Sequence, residues 1–243
     1  ENMYKASSNA SSNSKSLNPK LKLIDAVVDK IVPPQPPTSL NVIVETYGSI
    51  ILDVSTGLQP LKKSEIISYK NYENEFYKKL WLLNGLHLQL AYYGLANGHT
   101  FIHEVIASKD GREFAKATVN SLAEAYALLS QSNENLDEFT NTIIDRFALP
   151  EIKDEVARIA RNPEIKFSKN ERFEYPLRLL ISHDKNVDTF RKILDIITSG
   201  NYQQVEGYSN FKEDVLEKGK SHIYNDFWEL ENYSKSYIER LGS

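Results

Sequence analysis

The 243-residue chain contains no cysteine. That removes disulfides, thiolate nucleophiles and cysteine-ligated zinc, and it fits a cytoplasmic protein. Long apolar runs are missing as well. No stretch approaches about 18 uninterrupted apolar residues, so no membrane span is expected, and no signal peptide is visible. Neither GxGxxG nor GxxxxGK[ST] occurs, so this chain brings no glycine-rich loop to cradle nucleotide phosphates. The five histidines show neither HxH nor HExxH spacing, and no metal is expected. Net charge is −4 with no basic cluster interleaved with aromatics, so nucleic acid is not an expected partner.

What remains is an ordinary globular composition, 41% hydrophobic and 26% charged, long enough for one large domain or two smaller ones. Its most informative stretch is residues 79–94, KLWLLNGLHLQLAYYG. Apolar residues fall on every side of a helical wheel drawn through it, the pattern of a buried helix. Yet Lys79, Asn84 and His87 lie in its first half, and buried polar side chains need partners. At 3.6 residues per turn the three fall within an arc of roughly 140°, with Lys79 and His87 roughly 12 Å apart along the axis. Such a face suits a bound ligand. It equally suits a core helix whose Lys snorkels to solvent and whose His meets a backbone carbonyl.

Along the chain, residues 5–16 (KASSNASSNSKS) read as a loop or a poor, exposed helix. Residues 22–32 alternate imperfectly and are rich in β-branched side chains, until the prolines of 33–37 stop any regular element. Residues 41–45 (NVIVE) form the clearest strand pattern, and residues 49–54 a second short apolar element. From about residue 64 helical spacing dominates. Helices are expected over 69–92, 99–106, 111–131, 135–147, 151–161, 172–182, 187–198 and 211–240, with Pro150 at the start of one and Asn162-Pro163 marking a turn. The expected fold class is therefore mainly α: a short α/β piece over residues 1–60, then an all-α domain over 61–243.

These residues also carry a resemblance. The chain is similar to the later part of the polyol-specific long-chain dehydrogenase/reductase family, most closely its mannitol-1-phosphate 5-dehydrogenase branch. Glu1-Asn2-Met3 resembles the family's Cys-Glu/Asp-Asn segment. Val28-Asp29-Lys30-Ile31-Val32-Pro33 resembles its VDRIVP motif, with Lys for Arg, and Val42-Ile43-Val44-Glu45 the strand that follows. Lys79-Leu80, Asn84-Gly85-Leu86-His87 and Ala91-Tyr92-Tyr93-Gly94 resemble the KLxxLNxxHxxxAYxG signature. Asp145-Arg146-Phe147, Arg161-Asn162-Pro163, Lys166-Phe167-Ser168 and Glu171-Arg172-Phe173 resemble segments further on. The match runs from residue 1 to about residue 180 and becomes diffuse beyond.

The resemblance implies a helical substrate-binding domain like the C-terminal domain of 6-phosphogluconate dehydrogenase. An N-terminal Rossmann domain that binds NAD would precede it. Because the chain opens on Glu1 and lacks the glycine fingerprint, a piece without that domain, inactive alone, is expected. The implied reaction interconverts mannitol 1-phosphate and fructose 6-phosphate, without a metal. It assigns proton transfer to Lys79, which would need a lowered pKa to act near neutrality. Asn2 and Asn84 match amides that stabilise an alkoxide-like oxygen, and His87 matches a residue that holds the reacting hydroxyl. Asp29 and Lys30 are candidate substrate contacts or braces of the domain junction. Arg161, Lys166 and Arg172 are candidates for the phosphate, or ordinary surface ion pairs. The expected partners are a sugar or polyol phosphate and the preceding domain. Two further readings stay open: a free-mannitol dehydrogenase or hexuronate reductase domain, and a non-catalytic helical domain serving in assembly or binding.

Overall fold

The computed structural model describes residues 26–30, 48–53 and 67–230, together with 239 and 241. The chain divides into two units, one of residues 1–31 and 44–76, the other of residues 32–43 and 77–243.

The first unit holds a three-stranded sheet, β1 (Ala26–Asp29), β2 (Ser49–Asp53) and β3 (Ile67–Lys70), in that order. β1 alternates strictly: Val27 and Asp29 are buried, Ala26 and Val28 exposed. It pairs antiparallel with β2, placing Val27 opposite Ile51, and both side chains are buried. β2 pairs parallel with β3. The expected elements over 22–32 and 49–54 contain β1 and β2. The tract at 5–16, the prolines of 33–37 and the strand expected over 41–45 lie outside the described residues. β3 falls beyond residue 60, in a stretch expected to be wholly helical, so helix begins only at Tyr72.

The described part of the second unit is mainly helical and built around the apolar stretch. Helix α1 (Tyr72–Lys78), of which only Tyr77 and Lys78 belong to this unit, continues through a π-helical turn, Lys79–Gly85, into α2 (Leu86–Ala96). The wider turn is visible in the backbone, where the Leu86 N–H reaches back to the Trp81 carbonyl. Trp81, Leu82, Leu86, Leu90, Ala91 and Tyr92 are fully buried. Each large side chain among them contributes roughly 1.5–3 kcal/mol by leaving water. Helices α3 (Ile102–Ala107), α4 (Lys109–Ser130), α6 (Val156–Ala160) and α9 (Asp188–Ser199) pack against α2. In α4 the Ser108 side chain accepts the Gly111 N–H at 3.1 Å as an N-cap. Its residues Phe114, Ala115, Val119, Leu122, Ala125 and Tyr126 then recur at helical spacing on one buried face.

Between α4 and α9 run α5 (Asp137–Phe147), α7 (Pro163–Lys166) and α8 (Glu174–Ser182). The helix expected over 151–161 is shorter than its sequence pattern. A 3-10 turn, Pro150–Ile152, leads into Lys153 in the left-handed region, and α6 starts only at Val156. The reason is backbone pairing. Ile102 N–H donates to the Asp154 carbonyl at 2.9 Å, and Val156 N–H to the Thr100 carbonyl at 3.0 Å, which holds this segment extended. The helix expected over 211–240 is likewise interrupted. It begins as α10 (Tyr208–Phe211) and a π turn, Lys212–Leu216. Gly219 at φ +88° then breaks it before α11 (Lys220–His222) and a further π turn, Ile223–Phe227.

Candidate functional site

The π turn does two things for the site. It keeps Leu80 to Leu83 in the core while leaving Asn84 half-buried, and one turn later His87 is half-buried too. Asn84, His87 and Leu88 form one wall of a cavity of about 320 Å³. The opposite wall comes from Arg158 and Ile159 on α6, Arg161 just after it, Lys166 at the end of α7, and Arg172.

Two glycines set how closely these walls approach. At Gly85 a Cβ would lie 2.9 Å from the Arg172 carbonyl oxygen, so only glycine lets the turn bearing Asn84 come this near the chain bearing Arg172. At Gly94 a Cβ would meet Val105 at 2.8 Å and Val156 at 2.9 Å. That glycine lets α2 lie close against α3 and α6. Tyr92 adds a hydrogen bond from its hydroxyl to the Ala160 carbonyl, 3.2 Å, at the end of α6.

The strand of chain from Arg161 to Arg172 is anchored from behind. Asn162 takes the left-handed conformation, and its N–H donates to the Glu206 carbonyl at 2.9 Å. Pro163 opens α7. Phe167 is buried against Tyr92, Phe173 and Phe211, and its carbonyl accepts the Trp228 indole N–H at 2.6 Å. Aromatic packing thus faces the core while the intervening cations face the cavity.

The electrostatics of the cavity are one-sided. Its described lining carries four cations, Arg158, Arg161, Lys166 and Arg172, and no carboxylate. Arg172 is paired with Glu171 at 3.1 Å, and Arg158 with the buried Asp154. Arg161 and Lys166 make no ion pair among the described residues. Lys166 instead donates to the Ile159 carbonyl at 2.6 Å. Burial and then the neighbouring Arg172, Arg161 and Arg158 push its pKa down from 10.5 to about 8. A group of positive charges that disfavour one another is a site short of an anion.

His87 is fixed on two sides. Its ring stacks on Phe147 with centroids 4.3 Å apart and planes 22° apart. Its Nε2 lies 3.0 Å from Oδ2 of Asp154, in a contact bent away from ideal hydrogen-bond geometry; neither atom has another hydrogen-bond partner among the described residues. Burial raises the Asp154 pKa, but His87 and Arg158 outweigh it and hold the carboxyl below its ordinary value.

Of the residues singled out in the sequence, Asn84, His87, Arg161, Lys166 and Arg172 therefore meet around one cavity. Lys79 opens the π turn, half-buried, and is not among the described lining. Lys78, immediately before it, is buried. Its ammonium pairs with Glu134 at 2.5 Å and lies 4.8 Å from the Phe139 ring centre. Asp29 is buried in β1, next to Lys30, in the sheet unit. Asn2 is outside the described residues. Sequence reasoning missed Arg158, Asp154 and Phe147. The i, i+4 spacing of Asp154 and Arg158, immediately before the singled-out Arg161, was the available signal. No group of three or more His, Asp or Glu able to hold a metal occurs among the described residues. No described helix is long and apolar enough to cross a membrane.

The family profile described as mannitol dehydrogenase C-terminal domain matches residues 70–209, which take in the π turn, α2 and every residue lining the cavity. The chain belongs to this family. Among curated relatives, the mannitol-1-phosphate 5-dehydrogenase of Mycoplasmopsis pulmonis is 30% identical over 205 residues, covering 83% of this chain and 54% of the relative. That of Pyrenophora tritici-repentis is 29% identical over 201 residues, covering 79% and 50%. The family member therefore spans about half the length of these relatives. Its fold is also that of Pseudomonas fluorescens mannitol 2-dehydrogenase, solved as a ternary complex with NAD and D-mannitol. There the TM-score is 0.73 at 16% identity, over 90% of this chain and 50% of that one.

Proposed function

We propose that this chain is the substrate-binding half of an NAD-dependent oxidoreductase that interconverts mannitol 1-phosphate and fructose 6-phosphate. The observation that carries the proposal is the convergence of four cations on the cavity that Asn84 and His87 also line. A sugar phosphate has two unlike ends, and the cavity has two unlike walls. The phosphate goes to Arg158, Arg161, Lys166 and Arg172, where each charge-assisted hydrogen bond is worth about 1.5–3 kcal/mol. The carbinol or carbonyl end goes to Asn84 and His87. The Asn84 amide donates to the oxygen as negative charge develops on it, and His87 orients the hydroxyl. Lys79, at the start of the same turn, exchanges the hydroxyl proton; Asn2 supplies a second amide.

This chain has no glycine fingerprint, and the cofactor is placed in the part of the relatives that it does not span, so the chain alone is inactive. When bound there, NAD supplies hydride transfer. The residues of this chain bind, orient and handle the proton. Asp29 and Lys30 serve as substrate contacts or as braces of the sheet unit. The protein works in the cytoplasm and needs no metal.

The test is NADH oxidation by the complete gene product with fructose 6-phosphate and with fructose, beside its Lys79→Ala variant. Turnover of the phosphate ester only, lost in the variant, supports the reading. Turnover of fructose alone moves the protein to the free-polyol branch and leaves the cations a structural role. No turnover with either sends it to the hexuronate or non-catalytic readings.

A further inference from the structure

We infer that Asp154 is a positioning residue that fixes the tautomer of His87 and, through the same carboxylate, the place of Arg158. It thereby ties the hydroxyl-handling wall of the cavity to its anion-binding wall. The inference rests on the proposed reaction only for its kinetic consequence. The geometry stands by itself.

Asp154 is buried, comes from neither wall helix, and is held by its own backbone carbonyl on the Ile102 N–H. Its two oxygens are divided. Oδ1 accepts from the Arg158 guanidinium, and Oδ2 faces Nε2 of His87 at 3.0 Å. Both atoms of the second contact are buried and make no regular hydrogen bond among the described residues, so among these each is the nearest polar group available to the other. A carboxylate held below its ordinary pKa is an acceptor only. Facing it, the neutral imidazole carries its proton on Nε2. Nδ1 is then left with a lone pair, and it is the nitrogen able to accept a hydrogen bond from a substrate hydroxyl adjoining the reacting one, whose own proton goes to Lys79. Phe147 on the ring face prevents the imidazole from tilting out of this arrangement. The opposite tautomer would set a lone pair against the carboxylate and turn a donor, in place of an acceptor, toward the substrate. Substrate handling at His87 therefore depends on a residue that does not touch substrate.

The experiment is nitrogen-15 NMR of the chain labelled at histidine, with His87 assigned by the signals lost in His87→Gln. The expected spectrum, recorded at a pH where the ring is neutral, is that of an imidazole protonated at Nε2, and in Asp154→Asn it shifts to a mixture of tautomers, because an Asn amide can donate as well as accept. An Nδ1-protonated His87 in the unaltered chain, or an unchanged spectrum in a folded Asp154→Asn, overturns the inference. The unaltered chain decides the tautomer even if the variant does not fold. In the complete gene product, Asp154→Asn is expected to lower kcat with fructose 6-phosphate at least tenfold while KM changes less than threefold. An unchanged kcat overturns the positioning role. Absence of turnover in the unaltered protein counts against the proposed reaction alone, since the tautomer is read without substrate.

Discussion

Gly85 sits where the chemistry-bearing turn touches the chain that brings Arg172, and replacing it by alanine tests whether that approach shapes the site. The backbone at Gly85 is ordinary right-handed helix, φ −69° and ψ −45°, so alanine is not strained there. Intrinsic propensity favours alanine by about 0.8–1.0 kcal/mol. The new methyl, however, would lie 2.9 Å from the Arg172 carbonyl oxygen, a backbone atom with no rotamer to change. To reach ordinary contact the carbonyl must retreat by about half an ångström. Overpacking of this kind costs about 1–3 kcal/mol. Net of the propensity gain, Gly85→Ala should lose about 1 kcal/mol, which for a chain of this size lowers Tm by about 2–4 °C.

The consequence for binding is larger than that for stability. Arg172 moves with its carbonyl, and about half an ångström is the tolerance within which a preorganised site works. Losing one charge-assisted contact weakens binding of fructose 6-phosphate about tenfold or more. Chemical denaturation and isothermal titration calorimetry on the same preparation measure both quantities. An alanine variant as stable as the parent, binding with unchanged affinity, would refute the argument, because propensity would then have won without a steric cost.

The cation cluster predicts a pH dependence. A phosphate monoester becomes doubly charged above about pH 6, and Lys166 loses its proton as pH rises through about 8. Affinity should therefore rise through pH 6, hold, and fall above pH 8 as one of four charges is lost, with protons taken up on binding near pH 8 because the anion restores the Lys166 charge; Lys166→Gln should abolish the upper limb in a calorimetric pH series. Gly94→Ala should destabilise by about 1–3 kcal/mol, with partial recovery in the Gly94→Ala, Val156→Ala double variant by urea denaturation, since Val156 is one of the two side chains in the way. Gln89 is fully buried in α2 with neither amide atom hydrogen-bonded among the described residues. Gln89→Met should thus raise stability by about 1 kcal/mol, and a fall in the thermal midpoint would refute this.

The all-round burial of α2 was legible because it is a matter of composition along one stretch: whatever the exact pitch, residues apolar on every side have nowhere else to go. The mainly helical fold followed from the same kind of evidence. The phase of the helix was not legible. The π turn adds a residue to the winding between Lys79 and Gly85, so angles drawn at a uniform pitch misjudge the side chains before it relative to those after it. Asn84 and His87, close to or beyond the end of the turn, fall on the cavity as their spacing suggests, while Lys79, at its start, is not among the described lining. Asp154 was hidden for a related reason. Its neighbours read as helix, and only a pairing with residues some fifty positions earlier, at Thr100 and Ile102, holds it extended beneath His87. Local pattern identifies residues able to do chemistry; the groups that orient them come from long-range backbone contacts with no local signature. The cations at Arg161, Lys166 and Arg172 fall between these cases. Their cluster is formed by a short irregular segment folded over Phe167, and it could be suspected from their types but placed only by that aromatic anchor.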